Sequence, residues 1–328
     1  MSQKSGRRSF IKNIGIGSVS AAIIPTGIVS AAGEKAIIVE SDNAQKENKR
    51  AYNSAYTGSN LNRIAFPLGG LGAGMICMEG TGCVSHVSVR NKPEIFNEPG
   101  MFAAVSVKGI KNGAKLLEGP VPDWKKFGQQ DAGNGSAGAT TGLPRFRNAS
   151  FDVKFPFAYL NISDADLPLK VLVTGWSPFI PTDEDSSGMP VASFEYKFIN
   201  TGNTPLEIVF SYNAKNFLKT DNGKNSIRPF ENGFILTDAG TTEKPQKSEF
   251  VIFTNDAATV VDHCWFRGGW WDPLTMAWNT VKNGEVKAVA AVESNAPGAS
   301  LFVPFTVAAG KEKTINVMMA WYTPDSEL

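Results

Sequence analysis

Histidine is almost missing from this chain: His86 and His263 are the only two in 328 residues. Two imidazoles cannot build a histidine-rich metal centre, and a Ser-His-Asp triad would have to recruit one of them. No G-x-S-x-G elbow is present, so a serine hydrolase site has no supporting motif. Cysteine is nearly as scarce. Cys77, Cys83 and Cys264 make an odd, low count that is not a disulfide framework. Cys264 follows His263 directly, but successive strand residues point to opposite faces, so the two side chains diverge and Cys264 reads as a buried structural thiol. Cys77 and Cys83 flank the turn signal Glu79-Gly80-Thr81-Gly82. A hairpin there could set them across from each other, which leaves one bridge or two free thiols as the alternatives. An excess of one charge is also lacking. The 32 Lys and Arg against 31 Asp and Glu give a net charge of +1 with the basic residues scattered, so there is no electrostatic footprint for nucleic acid.

What the chain does contain is 42% apolar and 19% charged residues, an ordinary globular composition with enough length for a sizeable core. Its first residues read as an export signal. Ser5-Gly-Arg-Arg-Ser-Phe-Ile-Lys places Arg7 and Arg8 in a twin-arginine pattern, and Val29-Ser30-Ala31 supplies small residues for cleavage. The apolar stretch between them, Ile14 to Val29, is broken by Pro25 and falls short of the roughly 20 residues that span a bilayer. The expectation is a signal over 1–32, export by the twin-arginine route to the periplasm or outside the cell, and no membrane span once the signal is removed. Residues 33–60 are polar and read as a linker or arm.

From residue 61 onward strand signals dominate. Phe102–Lys108 reads as a strand turned back by Lys111-Asn112-Gly113 toward Lys115–Glu118. Residues 119–143 hold few large apolar side chains and read as a long surface loop. The run Phe151–Ile162, then Ser193–Ile199 and Leu206–Tyr212, carry β patterning, and further strands are expected at 233–236, 249–253, 258–266, 285–292, 301–307 and 314–322. Turn clusters at fairly regular spacing predict an all-β fold, a large antiparallel sandwich forming a single domain over 61–328 with long loops. One helix stands out: Asp272 can cap it, Pro273 suits its first turn, Leu274, Trp278 and Val281 recur at helical spacing, and Gly284 lies beyond its end.

Three segments are candidates for chemistry. Arg63–Cys77 places Gly69, Gly70, Gly72 and Gly74 in an apolar run. It spells neither phosphate-loop pattern and is followed by β-type sequence, so the glycines point to close backbone packing and not to a nucleotide. Asp183-Glu-Asp185-Ser-Ser-Gly188 imitates the start of a calcium loop, but position twelve falls on Phe194 and paired helices are lacking. Asp183 and Asp185 remain as contacts for sugar hydroxyls or a loosely held cation, or as a solvated acidic loop. The segment Cys264–Asp272 gathers Trp265, Arg267, Trp270, Trp271 and Asp272 around Gly268-Gly269. Flat aromatic faces pack on sugar C–H surfaces while Arg or Asp fixes hydroxyls, and core packing is the alternative. No motif calls for a cofactor or a metal. Glycoside hydrolysis needs a carboxylate pair, and no pair is singled out by the sequence.

The run Arg63-Ile-Ala-Phe-Pro-Leu-Gly-Gly-Leu-Gly-Ala-Gly74 resembles the opening of the N-terminal domain of glycoside hydrolase family 116, the family of non-lysosomal glucosylceramidases and bacterial β-glucosidases. Gly175-Trp-Ser-Pro-Phe-Ile-Pro181, Pro190–Asn200 and Ala320-Trp-Tyr-Thr-Pro324 fit the same pattern, so the resemblance covers about residues 60–324. It implies a β-sandwich that docks on a larger (α/α)6 barrel, in the same polypeptide or as a separate partner. That barrel carries the Glu nucleophile and Asp acid/base of a retaining β-glucosidase. Those carboxylates have no counterparts here, so no catalytic residue is assigned and the chain alone is expected to be inactive. The aromatic segment and Asp183–Ser187 are the expected rim of the substrate cleft. A free-standing carbohydrate-binding module is the alternative, and a small sugar-modifying enzyme a third reading that the scarcity of histidine disfavours.

Overall fold

The computed structural model describes residues 51–90, 93–95, 97–127, 140–220, 224–240 and 247–324, all within the compact unit 49–328. The twin-arginine motif, the arm before residue 51 and the glycine-rich stretch 128–139 lie outside the described residues. The fold is all-β, as the strand signals predict. Nine strands form the largest sheet, in the order β1 (Tyr56–Thr57), β7 (Asn148–Lys154), β8 (Phe157–Ser163), β9 (Leu169–Trp176), β10 (Val191–Asn200), β17 (Glu312–Tyr322), β14 (Ser248–Thr254), β13 (Gly233–Asp238) and β12 (Asn225–Phe230). A five-stranded sheet follows the order β15 (Val260–Asp262), β16 (Gly298–Val307), β11 (Leu206–Lys215), β5 (Met101–Val107) and β6 (Ala114–Leu116). A three-stranded sheet holds β2 (Ala65–Leu68), β3 (Met75–Glu79) and β4 (Val84–Ser88). Neighbouring strands pair antiparallel throughout.

Period-two patterning places the core. Leu160 and Ile162 of β8, Val171 and Val173 of β9, Phe194 and Phe198 of β10, and Ile315 and Val317 of β17 all point inward. There they meet Ile208, Phe210 and Tyr212 of β11. Tyr196 and Phe198 flank Phe210 at ring separations of 5.0 and 5.7 Å, within the range where aromatic pairs attract beyond simple burial. β5 is buried along its whole length, because a helix covers its outer face. That helix is α3 (Pro273–Lys282), the third after α1 (Asp123–Phe127) and α2 (Glu184–Ser187). Asp272 caps it by accepting from Thr275 N, as its sequence predicts. Leu274, Trp278 and Val281 pack on Phe102, Val209 and Phe302, each contributing about 1.5–3 kcal/mol by leaving water.

Some expectations are corrected. Residues 285–292 form no strand; only Val289 makes an isolated bridge, to Asp262. Its short alanine side chains stay largely exposed and bury too little area to hold a strand in place. β15 stops at Asp262, whose carboxylate accepts from Cys264 N in an Asx turn that diverts the chain. The run Phe151–Ile162 is two strands, because Pro156 has no N–H to continue a ladder. The loop 119–143 contains α1, and residues 56–57, within the polar arm, pair with β7. Cys77 and Cys83 are free and buried. Cys77 registers with Ser85, while Cys83 lies beside Glu79, so the two thiols are diagonal and not opposite. Diagonal neighbours sit about 7–8 Å apart, beyond disulfide reach.

Antiparallel register makes the two ends of the sandwich unlike. At one end the strands are joined by the short connections 164–168, 201–205, 231–232, 255–259 and 308–311. At the other end lie 177–190, 216–220 after β11, 239–240 after β13, and 263–297, together with the point where β17 ends.

Candidate functional site at the loop end

The glycine run forms the centre of this end. Residues 69–74 join β2 to β3 and are tied to the connection 177–190 and to β17. Gly69 N donates to Ser177 Oγ at 2.7 Å, Leu71 N to Ser187 O at 2.8 Å, and Trp321 Nε1 to Ala73 O at 2.6 Å. The glycines are needed for this packing. A Cβ on Gly70 would stand 2.3 Å from the Met189 carbonyl oxygen, and Gly74 adopts φ +83° with Ser88 O 2.5 Å from where its Cβ would be. The expected close packing is thus observed, and what the glycine run packs against is the block 177–190 and the end of β17. Thr323 Oγ1 donates to Val89 O and the Arg90 guanidinium to Leu218 O, which joins the same end to the β11–β12 connection.

Around the glycine run is a cleft of about 340 Å³, lined by residues 67–72, Gly74, Met75, Phe155, Pro156 and 177–179. None of these residues is ionisable. Phe155 and Phe179 meet edge to face at 4.8 Å, yet Phe155 is 65% exposed, and so is Leu71. Ile180 and Met189 are exposed nearby. These side chains were not among the candidates read from the sequence. Their signal is an apolar residue inside a turn: Phe155-Pro156 and Phe179-Ile-Pro181 put large apolar groups where solvent is expected.

The aromatic segment lies at the same end but on the other sheet, in the β15–β16 connection. Trp265 is 2% exposed, and its Nε1 donates to Ser300 Oγ at 2.8 Å; it belongs to the core under α3. Trp270 is 94% and Trp271 64% exposed. The Arg267 guanidinium donates to Ser294 O at 3.5 Å. Asp272 is engaged as a cap, accepting from Thr275 N and Oγ1. Lys215, at the end of β11, lies within the field of Asp272; burial lowers its ammonium pKa and Asp272 opposes that shift. Asp183 is also a cap. It accepts from Ser186 N at 2.9 Å and Ser186 Oγ at 2.7 Å, and these bonds hold its carboxyl below the ordinary value. Asp185 is exposed on α2.

Away from this end, one cluster has metal-ligand spacing: Glu79, Cys83 and Glu98, with ligand atoms within 4.8 Å of one another. A cation of the protein's own sits among them. The Lys125 ammonium of α1 contacts Glu79 Oε2 at 2.7 Å and also meets Glu98, with its side chain buried. Burial pushes the Cys83 thiol well up, with Glu118 adding to the shift, and pushes Cys77 up to about 11, so both stay protonated and are poor ligands and nucleophiles. Burial would lower the Lys125 pKa, but the contacting carboxylates Glu79 and Glu98 raise it, keeping the ammonium charged. Among the described residues no helix is long and apolar enough to cross a membrane.

A search among curated protein sequences gives no match. The family model described as beta-glucosidase 2, glycosyl-hydrolase family 116 N-term, matches residues 65–328. Among solved structures, a putative kojibiose phosphorylase from human microbiome aligns at 11% identity and TM-score 0.40, over 82% of this chain and 33% of that one. A family GH92 α-mannosidase from Bacteroides thetaiotaomicron aligns at 10% identity and TM-score 0.35, over 80% of this chain and 32% of that one. A protein from Synechocystis aligns at 7% identity and TM-score 0.37, over 80% of this chain and 98% of that one. The chain therefore spans about a third of the length of the phosphorylase and of the mannosidase.

Proposed function

Since this chain belongs to the family of glycosyl hydrolase 116 N-terminal domains, we propose that it is the non-catalytic β-sandwich of an exported retaining β-glucosidase and docks on a catalytic (α/α)6 barrel through its loop end. The observation that carries the reading is the uncharged cleft around the glycine run, with Leu71, Phe155, Phe179, Ile180 and Met189 exposed in and beside it. Clustered exposed apolar side chains mark a surface that a partner covers. β17 ends against this cleft, so whatever follows it in the polypeptide is delivered to the same face. A pocket with a rigid backbone and no ionisable group suits an apolar anchor residue from the barrel, the kind of contact that dominates protein interfaces. Docking there puts the loops 177–190 and 263–297 beside the barrel, where they help shape the mouth of a cleft for β-glucosides.

Catalysis belongs to the barrel in this reading, and the sandwich by itself turns over no aryl β-glucoside. The first test is to read the coding frame beyond Leu328 and in neighbouring genes. A helical region able to supply a Glu nucleophile and an Asp acid/base supports the proposal. If there is no such region and the chain alone hydrolyses an aryl β-glucoside, with activity lost on changing one of its own carboxylates, the reading is wrong. Export is a separate part of the proposal and rests on Arg7 and Arg8. Replacing both with Lys should leave the precursor in the cytoplasm, as cell fractionation would show.

A further inference from the structure

We infer that Trp270 and Trp271 form a carbohydrate-stacking platform that binds chains of β-linked glucose without help from a catalytic domain. The two indoles are presented on a braced segment. On one side Trp265 is buried and hydrogen-bonded to Ser300; on the other Asp272 caps α3, whose inner face is locked onto the five-stranded sheet. Between these anchors the chain carries Trp270 at 94% and Trp271 at 64% exposure. Anchors on both sides limit the backbone ordering that a bound ligand has to impose on this short segment.

The surroundings favour a sugar over an apolar protein surface. The glycine cleft has no ionisable lining, whereas the tryptophan pair is bordered by Arg267 and Asp272, with Lys215 nearby. A pyranose ring with equatorial hydroxyls offers an apolar C–H face to an indole and a rim of hydroxyls to charged neighbours. Neither Trp270 nor Trp271 lines the glycine cleft, so the two surfaces can be occupied independently. The choice of glucose rests on the proposed function; the platform itself does not.

The test is calorimetric titration of the 328-residue chain with cellohexaose, at concentrations up to the millimolar range. Binding is expected, weakened roughly tenfold by Trp270→Ala or Trp271→Ala, the loss of one stacking contact. Arg267→Gln should weaken it less. Because both indoles are exposed, the variants should unfold at the wild-type temperature, which separates lost binding from lost fold. No binding by the folded wild-type chain would overturn the inference, as would binding that survives the double Trp variant. Iodide quenching in the two-domain enzyme gives a further check: indoles that stay accessible support the platform, and indoles shielded by the barrel sink it. Leu71→Asp with Phe179→Asp should weaken docking roughly 100-fold and leave sugar binding intact, so the two proposals fail separately.

Discussion

The two ends of this sandwich differ in the large apolar surface they leave in water. At the turn end, charges are buried and paired. Asp164, in the connection after β8, meets Lys115 Nζ at 2.9 Å with both side chains nearly inaccessible. At the loop end, large apolar groups are left in water around an uncharged cleft and on the tryptophan segment. A buried ion pair adds little net stability but penalises any arrangement that separates its partners, so the turn end specifies how the chain closes. Exposed apolar surface stabilises nothing in the isolated domain, and its value is realised only when something covers it. In the proposed reading, the loop end is the face left for a partner to cover.

The sharpest way to break that contrast is Lys115→Met. It removes the buried cation facing Asp164 and should cost up to about 3–5 kcal/mol of unfolding free energy, read from a urea melt. The pair also has a pH signature. Burial opposes ionisation of Asp164, but bonds from Lys115 and from the Asp166 and Arg147 amides outweigh it and hold its pKa below the ordinary 3.8. A depressed carboxyl contributes stability above its unfolded value and loses it as the pH falls through its lower folded value. Acid unfolding of the wild type should therefore begin below pH 3.8, and Lys115→Met should move that onset upward.

At the loop end, Leu71→Asp with Phe179→Asp should cost no more than about 1.5 kcal/mol of unfolding free energy, the scale of the lost Phe155–Phe179 ring contact. The same pair should weaken barrel association roughly 100-fold, about 2.7 kcal/mol, in an analytical centrifuge or by calorimetry. A stability loss of several kcal/mol instead would mean these side chains are core and the contrast between the ends is false. A smaller effect is expected from Asp272→Ala, about 1 kcal/mol for a lost cap, with faster amide exchange at Thr275. Asp183→Ala is the mildest: the Ser186 amide should exchange faster while the melting curve stays unchanged.

Much of this architecture is legible along the chain because strand and helix signals are local. Asp272-Pro273 and the Leu274, Trp278, Val281 spacing locate α3 without any knowledge of its partner. The strand expected at 285–292 fails because hydropathy cannot say whether a neighbour is present to bury it. β12 went unread for a related reason: Pro229 argues against a strand, and only its place at the edge of the nine-stranded sheet makes the proline tolerable. Trp265 and Trp270 look alike in sequence, yet one is core and the other fully exposed. That difference arises where Gly268-Gly269 turns the chain out of the sandwich.

The sequence by itself determined the all-β class, the capped helix and the need for glycine in the run 69–74. Each depends on backbone preferences or side-chain periodicity within a few residues. It also carried the family resemblance, which the family match over 65–328 bears out. Only the tertiary structure decided which residues share a surface. The cleft brings together residues 67–72, Gly74, Met75, 155–156 and 177–179, and the end of β17 closes beside it. Their meeting depends on long-range strand register and on the Gly70 backbone approaching Met189 closely, and no window along the chain contains either fact.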